Sequence, residues 1–271
     1  MNTKDFFDIK QKVIVILGAT GILGSRYVDF LSSKGANIVI SDLSFEKCES
    51  LALEVMKKYG VDPLPIKADI TKEEDIINVF ELTIKKYGKF DSLINNAQIK
   101  PEGFYAPFEK YSKDTLMKVL DGNLGAVIIS CREACKYFLQ FGSGSIINIS
   151  STYGNIGADQ RIYDGVKNIY FPDERFSSPV SYGVTKAGIL NLTRYLASYY
   201  REKNIRVNTL TPGGVFDNHD ELFNQSYSSR TLLGRMAKAD EYNAAILFLV
   251  SEASSYMTGA NLIIDGGWTA I

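Results

Sequence analysis

Short apolar runs alternate along the chain with longer segments whose apolar residues recur at helical spacing. Seven runs rich in Val, Ile and Leu are predicted to be strands: residues 12–18, 36–42, 62–69, 90–97, 144–151, 205–214 and 261–267. Between them, sets such as Ile76, Phe80 and Ile84 predict amphipathic helices. Several strands are apolar throughout, which is typical of a parallel sheet covered on both faces. The pattern predicts an α/β fold with a doubly wound, mostly parallel seven-stranded sheet.

The length of 271 residues fits a single domain spanning residues 1–271. The segment 154–179 is rich in Asp, Asn, Gly and Tyr, and we predict an inserted loop there. Residues from about 214 to 235 follow the sixth strand and are predicted to form a mobile flap over a substrate. Doubly wound sheets bind ligands beyond the carboxyl ends of their strands, so both segments are expected beside the ligand site.

Composition argues against several classes of partner. The formal net charge of -1 gives no reason to expect nucleic acid or an anionic membrane. The start "MNTKDFFDIKQK" has no apolar signal core, and no apolar run is long enough for a bilayer. Cys48, Cys131 and Cys135 lack the spacing of a disulfide framework or a zinc site. We therefore expect reduced thiols, no bound metal and a cytoplasmic location.

A glycine-rich turn follows the first strand. In "LGATGILGS" the glycines are spaced G-x-x-G-x-x-G, which differs from the usual G-x-G-x-x-G of dinucleotide sites. A tight turn without a ligand is the alternative, but the strand before it and the helix after it favour a pyrophosphate held at the helix N-terminus. The residues expected there are Gly18, Thr20, Gly21, Ile22, Leu23 and Gly24.

Asp42 ends the second strand and bears on the choice of cofactor. A carboxylate at this position accepts hydrogen bonds from ribose hydroxyls and repels a 2′-phosphate. No Arg or Lys immediately follows it. We therefore predict NAD in preference to NADP. The alternative is a strand-end cap or a start signal for a helix over 44–59.

The sequence resembles the short-chain dehydrogenase/reductase superfamily, in its short single-domain branch. The likeness rests on the ordered segments "VIVILGATGILG", "ADI", "NNA", "DGNLGAVIIS", "IINISS", "YGVTK", "TPGG" and "MTGANLIIDGG", which span nearly the whole chain. It implies a Rossmann fold and an NAD(P)-dependent oxidoreductase. It also implies a catalytic set of Asn123, Ser151, Tyr182 and Lys186, and further cofactor contacts from Asp69, Ile70, Asn95, Asn96, Ala97, Tyr182, Lys186, Pro212, Gly213 and Val215.

The chemistry of Tyr182 and Lys186 also follows from the residues themselves. A phenol with its ordinary pKa of about 10 is a poor base near neutrality. Residues four apart share one face of a helix, so the Lys186 ammonium is predicted to favour the phenolate and lower its pKa. Ser151 is expected to hold the substrate oxygen, and Asn123 to anchor a water leading from Lys186 to solvent. In isolation, a Tyr–Lys pair is more often an ordinary surface pair.

Departures from the family pattern concentrate around the expected substrate site. Gln98 replaces the glycine that normally follows "NNA", and Asp217 replaces a common threonine. Ser151 and Tyr182 are 31 residues apart, and the excess falls in 154–179. Gln98, Arg161, Tyr163 and His219 are candidate contacts for a polar substrate. A solvated or oligomer-contacting loop is the alternative for the insertion.

A second resemblance narrows the predicted function. The insertion and "GGVFDN" resemble the flagellin modification protein A-like subgroup, which is associated with bacterial surface-glycan sugars. We predict an NAD-dependent oxidoreductase that interconverts a secondary alcohol and a ketone on a sugar, amino sugar or sugar nucleotide. The alternatives are a sugar-nucleotide epimerase or dehydratase with tightly held NAD, and a non-catalytic NAD-sensing protein. The family also implies a homo-oligomer, a dimer or tetramer formed through helices 112–140 and 180–202 and the last strand.

Overall fold

A computed structural model describes residues 5–271. The first four residues of the segment 1–12, for which no signal sequence is predicted, lie outside the described residues. Over residues 5–271 the chain forms one parallel sheet of seven strands in the order β3-β2-β1-β4-β5-β6-β7. The strands are β1 (Val13–Leu17), β2 (Asn37–Asp42), β3 (Leu64–Lys67), β4 (Ser92–Asn95), β5 (Gly144–Ile149), β6 (Ile205–Pro212) and β7 (Asn261–Ile264). The predicted doubly wound fold is confirmed.

Helices connect the strands and cover both faces of the sheet. They are α1 (Ile22–Ser33), α2 (Phe45–Tyr59), α3 (Glu73–Tyr87), α4 (Lys113–Leu120), α5 (Ala126–Phe141), α6 (Thr152–Asn155), α7 (Val180–Tyr199), α8 (Glu221–Ser228) and α9 (Asn243–Val250). The expected single helix over 112–140 is wrong in detail, because a π-helical turn at Asp121–Gly125 separates α4 from α5. The helix expected over 180–202 ends at Tyr199.

Each face of the sheet has its own apolar core. Along β1, Ile14 and Ile16 pack with α1, α2 and α9, whereas Val13, Val15 and Leu17 pack with α3, α5 and α7. All five residues are buried. Alternate side chains of a strand point to opposite faces of the sheet. A strand covered on both faces therefore buries the side chain at every position, which favours a run of apolar residues.

The inserted segment 154–179 packs onto other parts of the chain. It contains a 3₁₀ turn at Gln160–Tyr163, and a third apolar cluster joins Ile162 and Tyr163 to Tyr227 of α8 and to Trp268. The rings of Tyr163 and Phe223 are stacked with centroids 5.5 Å apart. Asp159 forms an ion pair with Arg230 at 2.7 Å. The insertion therefore contacts the segment that follows β6.

The turn after β1 requires a glycine at position 18. Gly18 has φ +78°, and a Cβ there would lie 2.5 Å from the Cα of Ala97. Gly60 has a similar φ of +68° but open space around it. We expect Gly18→Ala to lower the free energy of unfolding by about 2 to 5 kcal/mol and Gly60→Ala by about 1 to 2 kcal/mol. Urea denaturation of both variants checks this, and equal losses would contradict the close approach.

Candidate active site

A cavity of about 680 Å³ opens beside the carboxyl ends of the central strands. Here the strand order reverses between β1 and β4, which is where doubly wound sheets bind their ligands. The cavity is lined by these residues predicted from the sequence: Gly18, Thr20, Gly21, Ile22, Leu23, Asp42, Asp69, Ile70, Asn96, Ala97, Gln98, Ser151, Tyr163, Tyr182, Lys186, Pro212, Gly213, Val215 and His219. Gly24, Asn123 and Arg161 lie outside this lining.

The glycine turn provides a cradle for an anion. Gly21 caps α1 without any side-chain hydrogen bond, so no side chain of the cap occupies the first-turn N–H groups. These groups carry the positive end of the helix dipole. Gly24 sits below the turn, where an added Cβ would lie 2.2 Å from the carbonyl oxygen of Gly18. The arrangement fits a dinucleotide pyrophosphate, with Gly24 allowing close packing instead of lining the cavity.

Asp42 is held firmly at the end of β2. Its Oδ2 accepts hydrogen bonds from the backbone N–H of Thr20 at 2.9 Å and the Thr20 hydroxyl at 2.7 Å. Its Oδ1 accepts the N–H of Leu43 at 2.8 Å. The helix start itself is capped by Ser44, whose hydroxyl accepts the N–H of Lys47. Asp42 therefore fixes the glycine turn while it faces the cavity.

Residues that follow β3 and β4 form the middle of the cavity. The Asn96 side chain donates to the carbonyl oxygen of Gly18 at 2.8 Å, which ties β4 to the glycine turn. The Asp69 carboxylate accepts the backbone N–H and hydroxyl of Thr71. Asn95, which the resemblance also implied, points into the protein and donates to Asn148 at 2.9 Å. It supports the strand ends without lining the cavity.

Ser151, Tyr182 and Lys186 come together on one wall. Ser151 precedes α6 just after β5, while Tyr182 and Lys186 lie one turn apart in α7. The Ser151 hydroxyl lies near the phenol of Tyr182 and lowers its pKa, and it accepts the backbone N–H of Tyr153 at 3.3 Å. The Lys186 ammonium lies 5.8 Å from the centroid of the Tyr182 ring and donates to the carbonyl oxygen of Ile149 at 2.9 Å.

The electrostatics of this wall differ from the expectation. Burial raises the pKa of Tyr182, and the Ser151 hydroxyl only partly offsets that effect. Burial also lowers the pKa of Lys186 to about 8. The net pKa of the phenol is therefore raised and not lowered as predicted, because removal from water is the largest effect on it.

Asn123 lies behind this wall, in the π-helical turn between α4 and α5. It is buried, and its side chain clamps the backbone of Ile99: Oδ1 accepts the N–H at 2.6 Å and Nδ2 donates to the C=O at 3.0 Å. This contact fixes the loop that follows β4, which carries Gln98.

Aromatic residues form the far end of the cavity, where a substrate has room. The hydroxyls of Tyr153 and Tyr163 are 3.0 Å apart, and the ring of Tyr153 meets that of Tyr182 edge-on at 6.4 Å. Arg161 does not reach this region, because its exposed guanidinium forms two hydrogen bonds with Asp159. Its predicted place in the substrate site disagrees with the structure, since a local carboxylate holds it at the surface.

Several lining residues were missed by sequence reasoning: Lys100, Tyr153, Phe223, Tyr227 and Met236. Tyr153 lies two residues after Ser151, so its place beside the cavity could have been predicted from the sequence. Tyr227 and Phe223 lie in α8, and nothing in their local sequence distinguishes a cavity wall from a core face. Only the docking of α8 against the insertion brings them here.

The chain belongs to the short-chain dehydrogenase/reductase family, a family of oxidoreductases. Residues 12–166 match the short chain dehydrogenase family, and residues 173–269 match a second family described as enoyl-(acyl carrier protein) reductase. With its Rossmann fold and this family membership, the protein is a hydride-transferring dehydrogenase or reductase.

Similar proteins come from several bacteria. Post-translational flagellin modification protein A of Campylobacter coli is 28% identical over 96% of this chain and 99% of its own length. The structure of a short chain dehydrogenase from Leptospira borgpetersenii with bound NAD+ is 33% identical, covers 99% and 97% of the two chains, and has a TM-score of 0.83. A gluconate 5-dehydrogenase from Burkholderia cenocepacia, in complex with NADP and tartrate, is 25% identical, covers 98% of each chain, and has a TM-score of 0.86. Relatives with either cofactor are thus similar to this chain.

Two features of residues 5–271 bear on partners. No helix there is long and apolar enough to cross a membrane. Nor does that part of the chain bring together three or more His, Cys, Asp or Glu residues in an arrangement that could hold a metal ion. The three cysteines are buried free thiols.

Proposed function

We propose that the protein is an NAD-dependent oxidoreductase that interconverts a secondary alcohol and a ketone on a sugar derivative. The observation that carries this proposal is the grouping of Ser151, Tyr182 and the buried Lys186 on one wall of the cavity that begins at the glycine turn. A nicotinamide bound there supplies the hydride acceptor. A protein that only sensed NAD would have no use for this grouping.

The roles of the side chains follow from their protonation. In oxidation, the C–H bond of the alcohol breaks as hydride leaves and a C=O bond forms, so the hydroxyl proton needs an acceptor. We assign that role to Tyr182, while the Ser151 hydroxyl orients the substrate oxygen. Lys186 supports the phenolate electrostatically, and the positive charge of an oxidised nicotinamide acts in the same direction. We assign Asn123 a positioning role: its side chain holds the backbone of Ile99 and anchors a water that leads from Lys186 to solvent.

We further propose NAD as the preferred cofactor, on the basis of the Asp42 carboxylate at the adenosine end of the cavity. Its charge would repel a 2′-phosphate, and its oxygens can accept from ribose hydroxyls. Lys47 lines the same end and could compensate part of that repulsion. We assign the remaining cofactor contacts to those residues predicted from the sequence that also line the cavity.

Asp42→Asn provides a test of this preference. The amide keeps an oxygen acceptor for Thr20 but loses the negative charge, so the ratio of kcat/KM with NADP to that with NAD is expected to rise by at least about tenfold. Steady-state kinetics with both cofactors measure it. Asp62→Asn, at an exposed surface site, serves as the control for the lost charge. An unchanged ratio in the Asp42 variant would show that this carboxylate does not determine the cofactor preference.

The substrate class rests on two kinds of support. One relative is named for flagellin modification and another for gluconate oxidation. In this chain, the hydroxyls of Tyr153 and Tyr163 and the amide of Gln98 line the substrate end, and such groups suit a polyhydroxylated molecule. We propose that the insertion 154–179 forms one wall of this end and that the segment 214–235 acts as a flap over it.

The deciding experiment is oxidation of candidate sugars followed by NADH absorbance. Sugars, amino sugars, sugar phosphates and sugar nucleotides are incubated with the protein and NAD, and products are identified by mass spectrometry and NMR. NADH formed together with a keto product supports the proposal. An isomer without NADH would indicate an epimerase instead. A folded, NAD-bound protein that is silent across all classes would contradict the sugar assignment.

We also propose a cytoplasmic homo-oligomer. The outward side of α7 presents Tyr195 and Tyr199, which are exposed and stacked on each other at 5.8 Å, and Ile263 of β7 is also exposed. Apolar groups of this kind suit a contact with a second copy of the chain. Light scattering of the purified protein tests the assembly.

A further inference from the structure

Lys100 is a cation at the cavity, and no carboxylate of residues 5–271 pairs with it. It follows β4, is exposed, and lines the cavity with Gln98. An ammonium that faces a cavity without a partner remains available for an anion.

The insertion helps to position this lysine. The Lys100 ammonium lies 5.9 Å from the centroid of the Tyr105 ring, a cation–π distance. Tyr105 is stacked on Tyr170 of the insertion, with centroids 4.3 Å apart and an interplanar angle of 15°. The aromatic pair therefore provides a platform under the ammonium, and half of it comes from the segment 154–179.

His219 supplies a second donor at the same cavity. Its Nδ1 accepts the backbone N–H of Asp217 at 3.2 Å, so the neutral ring carries its proton on Nε2. The ring lies against Phe223 with centroids 5.2 Å apart. Burial lowers the pKa of His219, Asp217 partly opposes this, and Lys100 contributes the smallest effect, a further lowering. At neutral pH the ring is therefore a neutral N–H donor at the same cavity as the Lys100 ammonium.

We propose that the substrate carries an anionic group, a carboxylate or a phosphate, and that Lys100 binds it together with the Nε2–H of His219. This inference rests on the proposed function, because it specifies which sugar derivatives the same cavity accepts. Asp217 also lines the cavity, and its negative charge limits the affinity for the anion. Its carboxylate is available to accept from hydroxyl or amino groups beside the anionic group.

The test measures binding to the NAD-saturated protein with three polyhydroxylated six-carbon probes. Gluconate carries a carboxylate, glucose 6-phosphate a phosphate, and glucitol no charge. Isothermal calorimetry is expected to show at least about tenfold tighter binding of one anionic probe than of glucitol, from a charge-assisted hydrogen bond. The tighter of the two anions identifies the source of the charge. Added salt is expected to reduce this preference.

Variants assign the effect to the lysine. Lys100→Ala is expected to reduce the preference for the anionic probe at least about tenfold, while Lys100→Arg retains most of it. Lys113→Ala removes an exposed lysine outside the cavity lining and controls for net charge. Equal binding of the three probes, binding of none, or equal effects of the two alanine variants would overturn the proposal.

The two proposals fail in different ways. If glucitol and gluconate are oxidised equally well with NAD, the proposed function stands and the anion site is refuted. If gluconate or glucose 6-phosphate binds through Lys100 but no sugar yields NADH, the anion site stands and the redox function is refuted.

Discussion

Tyr182→Phe is expected to reduce kcat by about 10²- to 10⁴-fold, the range that general acid–base catalysis supplies. The variant keeps the ring, which fills the same space, but it has no group that can take the proton of the alcohol. The NAD dissociation constant is expected to change less than about threefold, because the glycine turn and Asp42 are untouched. Single-turnover kinetics and calorimetry with NAD measure the two quantities separately.

Tyr111→Phe is a matched control for this variant. The phenol of Tyr111 pairs with a serine hydroxyl, Ser181, at 2.6 Å, and it lies beside the same helix but outside the cavity lining. Its loss is expected to cost about 1 kcal/mol of stability and to leave turnover within a few-fold. If both variants kept full activity, the proton would be transferred by another group and the catalytic assignment would be wrong. The NAD-sensing alternative would then be favoured.

Lys186→Met is expected to abolish turnover and to stabilise the cofactor-free protein. The pKa of Lys186 falls to about 8 on folding, against an ordinary value of 10.5, because its ammonium is buried. Below about pH 8 the residue is charged in both states, so the folded state bears the full cost of burial, about 3 kcal/mol. Methionine removes that cost and also the bond to Ile149, worth about 1 kcal/mol. A net gain of about 1 to 3 kcal/mol at pH 7 follows.

The sign of the pH dependence gives a sharper test. As pH rises from about 8 to 10.5, the folded protein loses the lysine proton before the unfolded chain does, so the wild type gains stability from this group. The advantage of Lys186→Met should therefore shrink between pH 7 and pH 10. Urea denaturation at both values measures it. Lys203→Met, at an exposed lysine, should change stability by less than about 0.5 kcal/mol at either pH. A constant advantage for Lys186→Met would show that burial of charge is not its cause.

The fold was largely predictable because its signals are local. The run of five apolar residues in β1 is typical of a strand covered on both faces. Gly60 and Gly88 end α2 and α3 in the left-handed conformation, which glycine adopts readily. The break at Asp121–Gly125 escaped prediction because both flanking segments are good helix formers. The buried Asn123 of this turn makes a tertiary contact, with its amide on the backbone of Ile99, and no local pattern predicts such a contact.

The sequence by itself determined the sheet, the family and the set of chemical groups at the candidate site, because strand period, glycine spacing and the Tyr–Lys spacing are properties of neighbouring residues. Tertiary structure decided which polar residues of the insertion reach the cavity. Arg161 is held outside by Asp159, whereas Tyr170 approaches the cavity by stacking on Tyr105, which carries the Lys100 ammonium. It also decided the charge of the site, since burial acts on Tyr182 and Lys186 more strongly than their mutual spacing does. Burial and side-chain pairing depend on segments distant in sequence, so no local pattern contains them.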